Sequence, residues 1–522
     1  MIVLLSFPAL WLTILLPILL GVLAWLLGKY ESAVKALIYL SGFVLLVPLA
    51  LVLSYYASGE ISKSIVDPIY INLVSYRIGT FYLGIDGLSA PIVIGISIVT
   101  AFVSFYGIKY MTKRIEEMKE ENEKVPNLGV YAFLYNIFAV TMLGIAYSSN
   151  LIEFYIFLEG TLISSFLLIA YYGYGDRKKI SLLYFVWTHI GAVLLLTGIL
   201  YFGYLVGSFN YMTLLNGSLT PIGSEEAILG GATTIIALLM LIGLFVKMAV
   251  FGVHMWLPYA HAEAPTPISA LLSPNLIGLA GYAIARFVFQ FFPTTMLTWR
   301  PYLLTLAFVT IIYGGLVALR QKDFKRFLAY SSISQMGYML LGLATLTSYG
   351  IIGAMLIYLS HAIGKAILFM SAGVFITELK NLRDITKMGG LAKKYPLTAA
   401  LALFGFMNLT GLPPSVGMWS EILVVMGLVQ SYMLRNLASL IGFTALLIVS
   451  LTLTGAYSFI MMRRIFYGHS RSKIEGSEKI DVFKLSILGV AIFGFVFFLV
   501  INPLISSLNT SVITFIISSL GR

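Results

Sequence analysis

No cysteine occurs in the 522 residues. Disulfides, cysteine-ligated iron–sulfur clusters and thiol catalysis are therefore excluded from this chain. Charge is scarce too. Only 11% of residues are Asp, Glu, Lys or Arg against 59% hydrophobic, and mean hydropathy is +0.95. A soluble domain could not hide that much apolar surface. No loop between the apolar runs is long enough to bury a core of its own. Walker, dinucleotide-binding, HExxH and zinc-spacing motifs are all missing. Glutamine is confined to Gln290, Gln321, Gln335 and Gln430, a thermophile-like scarcity that membrane composition also produces. The +11 net charge is divided among short loops, which points to membrane orientation and not to nucleic acid.

What is present is a succession of long apolar runs, so the chain reads as an all-α polytopic membrane protein. Fourteen helices are predicted, near 6–27, 34–56, 84–108, 128–148, 150–173, 181–206, 228–253, 267–291, 302–319, 325–346, 349–377, 397–430, 437–464 and 482–506. The first is too long for a signal h-region and lacks a basic n-region, so it is expected to be retained. Most of the 33 lysines and arginines fall in odd-numbered loops, while the even-numbered loops hold only Lys63, Arg77, Arg300 and Arg435. The odd loops are thus expected in the cytoplasm and both termini outside. KYMTKRIEEMKEENEK (109–124) reads as a solvated helix or linker, and 509–522 as an interfacial tail.

Two predicted helices carry breaks. One is LFVKMAVFGVHMWLPYAHAEAPTPISALL (244–272), and the other is NLTGLPPSVGMWSEI (408–422). Proline and glycine interrupt a helix, and broken backbone at membrane depth survives only when buried in protein or lining a wet cavity. Corresponding breaks suggest an internal repeat. Lys247 to Glu421 spans 174 residues and His189 to His361 spans 172, which suggests two five-helix units, helices 4–8 and 9–13. The expected division is 1–127 (helices 1–3 and charged linker), 128–291 and 302–464 (the two units), and 465–522 (loop, last helix and tail).

A charge at bilayer centre costs about 2.5–3.5 kcal/mol on insertion scales, so such residues face the bundle interior and have work to do. The candidates are Glu159, His189, Lys247, His361, Lys365 and Glu421, with His361 and Lys365 one turn apart on one helix face. A series of acids and bases at middle depth suits a proton relay. The hold of Lys247 on its proton would be set by Glu159 or by a neighbouring subunit's charge. Plainer readings stand beside this one. Glu159 and Lys247 would also serve as a structural ion pair, His189 as an interhelical hydrogen-bonder, Lys365 as a snorkelling side chain, and Glu421 as a structural acid beside the double proline.

VKMAVFGVHMWLPYAHAEAPTPISALL (246–272), ALRQKDFKRFLAYSSISQMGYML (318–340) and SHAIGKAILF (360–369) carry a resemblance. With them the chain resembles the antiporter-like subunits of respiratory complex I (NuoM type), Mrp sodium/proton antiporters (MrpD type) and energy-converting membrane-bound hydrogenases, in particular the archaeal hydrogenase or sulfur-reductase branch. The resemblance implies two inverted five-helix repeats with broken helices 7 and 12. It makes Glu159 and Lys247 the key pair, His361 and Lys365 the central relay, and Glu421 the terminal carboxylate. It places His254, His261 and Glu263 in the segment after the first break. Many relatives carry a lysine on helix 8 where ungapped counting puts Gly278. Arg286, His261 or water would then have to substitute. The chain also stops soon after helix 14, which disfavours the NuoL type with its lateral helix.

The resemblance implies a subunit of a redox-driven complex that moves protons, or exchanges protons and sodium. It would hold no cofactor or metal of its own. Its partners would be other membrane subunits, including further antiporter-like ones, a peripheral arm carrying iron–sulfur clusters, and lipid in a prokaryotic plasma membrane. The alternative is a subunit of a non-redox Mrp-type sodium/proton antiporter. A stand-alone solute transporter is disfavoured by the lack of a roomy polar binding set. A non-conducting scaffold remains the structural alternative.

Overall fold

The computed structural model describes residues 2–59, 63–72, 78–210, 230–432, 437–469 and 477–514. Arg77, Arg435 and Arg522 lie outside these residues.

Among the described residues seventeen helices follow in order: α1 Ala9–Leu26, α2 Glu31–Ala57, α3 Ala90–Glu120, α4 Leu128–Tyr147, α5 Leu151–Tyr172, α6 Arg177–Val206, α7 Thr233–Met248, α8 Trp256–Glu263, α9 Thr266–Phe291, α10 Pro293–Arg320, α11 Phe324–Ala344, α12 Ser348–Glu378, α13 Pro396–Leu409, α14 Val416–Tyr432, α15 Leu437–Tyr467, α16 Val482–Leu499 and α17 Ile501–Val512. Among the described residues twelve are long and apolar enough to cross a membrane. With α11 and the broken pair α13/α14 they give the fourteen predicted crossings. The linker at 109–124 is not separate, because α3 runs on to Glu120. The tail is helical from Ile501, with Leu504 and Leu508 buried.

Short polar caps fix where the helices begin. Asn127 accepts from Gly129 and Val130, and Asn150 from Ile152 and Glu153. Asp323 accepts from Arg326 and Asp481 from Lys484. Each cap satisfies backbone donors that a helix leaves free, so loops of only a few residues suffice.

Two small sheets on the even-loop face are absent from the all-α reading. β1 (Ile2–Leu4) pairs in parallel with β2 (Ser64–Val66), which pairs antiparallel with β5 (Gly84–Ile85), while β3 (Ile71–Asn72) pairs with β4 (Thr80–Phe81). These strands are two or three residues long, too short to leave a periodic signature. Buried Asp67, just after β2, accepts from the backbone of Leu10 and so caps α1 from a distance.

Two five-crossing units follow the first three helices. In each the third crossing is long (α6, 30 residues; α12, 31), the fourth is broken (α7/α8; α13/α14), and the fifth contains π turns (Leu272–Leu276 and Ile284–Val288; Arg463–Tyr467). Five crossings reverse the side from which the next unit starts, so the units run in opposite senses. α9 and α12 are enclosed by protein along their apolar lengths, whereas α15 is largely exposed. α12 is walled by α3, α9, α11, α13, α14 and α16. That places His361 and Lys365 on the central helix of the molecule.

Candidate functional site

Lys247 is 4% exposed in the last turn of α7, directly before the first break. The helix ends because Ala249 takes φ +56 and Gly252 φ +93. Trp256 Nε1 donates to the Val246 carbonyl at 2.9 Å, which satisfies one carbonyl freed by the break. The prolines do not open this helix, contrary to expectation. Pro258 lies in the first turn of α8, and Pro265 and Pro267 at the start of α9, where no N–H partner is needed. The left-handed backbone does the breaking.

Glu159 on α5 acts electrostatically on Lys247. Among the described residues, however, no ion pair joins the two within 4.0 Å. Glu159 meets His189 of α6 instead, Oε2 to Nδ1 3.4 Å, and the His189 side chain is 44% exposed. The expected Glu159–Lys247 contact is thus a Glu159–His189 contact with Lys247 at longer range.

At the centre, Lys365 donates to the Leu328 carbonyl at 2.9 Å and to the Ser331 hydroxyl, both on α11. His361 lies against the Pro274 carbonyl in the first π turn of α9 and within electrostatic reach of Lys365 and His261. His261 is fully buried, stacks on Phe369 at 5.3 Å, and has no hydrogen-bond partner on either ring nitrogen among the described residues. Lys325 and Lys365 both act on it.

Lys325 does not stand out in the sequence, because it sits among the charges Arg320, Lys322, Asp323 and Arg326. It is fully buried and donates to the carbonyls of Ala262 and Ala264. The signal was there: the apolar run begins at the next residue but one, so its neighbour Arg326 alone faces out.

Glu421 stands in the second turn of α14, after its break, where Gly411 has φ +62. A β-carbon at Gly411 would collide with the Glu421 carboxylate. Lys247 precedes its break and Glu421 follows its own, so their matching offset does not place them alike. Ser360 of α12 donates to the Asn408 carbonyl at 2.7 Å, and Gln335 donates to that of Leu409 at 2.9 Å, so hydroxyl and amide groups line this second gap.

His254 approaches the Tyr313 hydroxyl at 3.2 Å. Glu263 accepts from the Tyr174 amide through its backbone carbonyl at 2.8 Å, and its side chain lies beside Gly175. Among the described residues His254 makes no contact with the central group, whereas Glu263 acts electrostatically on Lys325, which donates to the carbonyls on either side of it.

Arg286 lies in the second π turn of α9 and pairs with Asp86, Nη2 to Oδ1 2.5 Å. Asp86 does not stand out in the sequence, because it lies at the start of the predicted crossing 84–108, where an acid is ordinary; α3 itself begins only at Ala90. A buried arginine needs a counter-ion, which was the available signal. Burial raises the Asp86 pKa, the Arg286 charge and hydrogen bond lower it, and the net lies below the ordinary aspartate value. No lysine fits at Gly278, because a β-carbon there would stand 2.5 Å from Tyr358 Cδ2.

Residues 148–449 match the family described as NADH:quinone oxidoreductase/Mrp antiporter, TM. The chain belongs to this family. It is 31% identical over 425 residues to F(420)H(2) dehydrogenase subunit M of Methanosarcina mazei, covering 80% of each chain. It is 30% identical over 392 residues to NADH-quinone oxidoreductase subunit M of Rhodobacter capsulatus, covering 74% of this chain and 72% of that one. Among solved structures it resembles a chain of respiratory complex I from Thermus thermophilus (TM-score 0.80, 23% identity, 98% and 100% covered). It also resembles a chain of the archaeal membrane-bound sulfane sulfur reductase (TM-score 0.80, 22% identity, 98% of each). At these identities the structural likeness is one of fold. In this family member the buried bases and acids above occupy both broken crossings and the central helix.

Proposed function

We propose that this chain is the proton-translocating, antiporter-like subunit of a redox-driven multi-subunit membrane complex of the complex I, membrane-bound hydrogenase or sulfur-reductase kind. The observation that carries the reading is Lys247. It is buried beside a helix break, and no ion pair within 4.0 Å fixes its charge among the described residues. A buried lysine held only by distant acids costs stability and gains or loses its proton as the surrounding charge changes. Glu159 and His189 set that charge from one side. Lys325, His261, Lys365 and His361 carry protons through the centre, and Glu421 serves the second gap. The units 128–291 and 302–464 act as two half-channels. Redox groups, iron–sulfur clusters among them, reside on partner subunits. The lysine- and arginine-rich odd loops support a cytoplasmic odd-loop face with both termini outside.

The test is to purify the complex through this chain and reconstitute it. Expected are a peripheral arm carrying flavin, nickel or iron–sulfur clusters, and proton uptake coupled to electron transfer that Lys247→Ala abolishes while assembly stays normal. Co-purification with small membrane partners only, and exchange of sodium for protons without a reductant, would select the Mrp-type alternative. Normal pumping by Lys247→Ala would overturn the relay.

A further inference from the structure

We propose that Asp86 is the outlet acid of the proton path on the even-loop face, with Arg286 as its positioning residue. The inference rests on the proposed function and adds a route that neither broken crossing supplies.

The Asp86 carboxylate is bound lopsidedly. Its Oδ1 accepts from Arg286 Nη2 at 2.5 Å, from the Ser89 amide at 2.9 Å and from the Leu88 amide at 3.1 Å. Its Oδ2 is buried and has no hydrogen-bond partner among the described residues. A purely structural pair with arginine gains most when both oxygens are engaged, as in a two-pronged contact. Here one oxygen is fixed and the other is left to take a proton.

Asp86 also separates two cavities at the even-loop end. One, of about 20 Å3, is lined by Tyr82, Ser148, Ser149, Tyr282 and Arg286 among others. The other, also about 20 Å3, is lined by Tyr55, Tyr56, Lys63 and Ser507 among others. Asp86 is the one acid that lines both. Each holds about one water, and the hydroxyl, lysine and arginine groups on its otherwise apolar wall supply the polar partners that a water needs.

A line of groups leads inward. Arg286 Nε donates to the Tyr282 hydroxyl at 3.2 Å. Tyr282 is one turn from Gly278, against which Tyr358 packs. The Tyr358 hydroxyl is buried and has no partner among the described residues, and Tyr358 is one turn from His361 on α12. Facing sides of α9 and α12 thus connect the central histidine to Asp86. In the step itself, an O–H bond forms on Asp86 Oδ2 as one breaks on a protonated water (H3O+) arriving from the inner side, which is left as neutral water. The proton then passes to water on the even-loop side and the carboxylate is restored. The low proton affinity imposed by Arg286 favours release.

The test uses the whole complex in sealed membrane vesicles, with protons moved per electron-transfer turnover as the readout. In Asp86→Asn/Arg286→Gln both charges go together, so no unpaired arginine is left buried. This double variant is expected to assemble normally and to lose proton movement by about tenfold or more, the scale of loss when a proton-transfer group is removed. Asp86→Glu is expected to regain most of it. Normal pumping by the double variant, or its failure to assemble, would assign the pair a structural role and overturn the proposal. Lys247→Ala runs alongside. If that control pumps normally, the functional reading itself fails. If the control loses pumping while the double variant keeps it, the outlet alone fails.

Discussion

Tyr358 lies across Gly278, its ring filling the space where any larger side chain on α9 would project. The two residues meet between the central helices α9 and α12, on the line from His361 toward Arg286. A cation from α9 has no room there, and the ring edge of Tyr358 from α12 takes its place.

Restoring a lysine at that point should therefore fail. Gly278→Lys overpacks a fully buried site, and overpacking alone costs about 1–3 kcal/mol. The expected result is a lower Tm and reduced assembly. Gly278→Lys/Tyr358→Ala should recover part of the loss, because the ring that blocks the lysine is gone. Thermal unfolding of the purified complex reads both, and a single variant as stable as the parent would refute the packing account.

Glu159 touches His189 but acts on Lys247 from a distance. Removing the carboxylate's charge should matter more than removing the imidazole. Glu159→Gln is expected to cut proton movement by about tenfold or more, the scale of a lost proton-transfer group, and His189→Gln by much less. Pumping assays on both variants at matched electron-transfer rates decide it, and equal losses would make the histidine part of the relay.

Gly411→Ala should disturb the second gap in two ways. It forces a β-carbon onto φ +62, at a cost of about 1–2 kcal/mol, and it pushes the Glu421 carboxylate aside. Reduced stability together with lost pumping is expected. Asn at 411, which tolerates the backbone, should recover stability but not pumping, since the collision with Glu421 remains.

Trp256→Phe keeps an aromatic ring at the first break but deletes the donor to the Val246 carbonyl. An unsatisfied buried acceptor costs about 1–3 kcal/mol. The expected outcome is a lower Tm with the loss concentrated around the first break, visible as faster hydrogen exchange at 246–256. Unchanged exchange there would show that the carbonyl finds another partner.

The membrane crossings were legible because apolar runs near membrane length leave a signal that needs no alignment. The broken crossings were legible as well, although the cause of the first was not. Proline is conspicuous in a sequence, while Ala249 in a left-handed conformation carries no mark. Lys247, His361, Lys365 and Glu421 stood out because charge is rare inside apolar runs. Lys325 and Asp86 did not, because each stands at the very start of a predicted crossing (325–346 and 84–108), where charge is the rule. Only tertiary contact from α8 and α9 shows that both are buried. The Glu159–Lys247 expectation took one partner per charge, and His189 on the adjoining helix stood closer.

α12 is enclosed by helices made before it and by helices made after it. During synthesis it must enter the bilayer with His361 and Lys365 while α13, α14 and α16 do not yet exist. Leu328 and Ser331, which hold Lys365, belong to α11 and are already in place. The order of the chain thus lets the most costly residue of the central helix be received on arrival, and biogenesis depends on α11 being seated first.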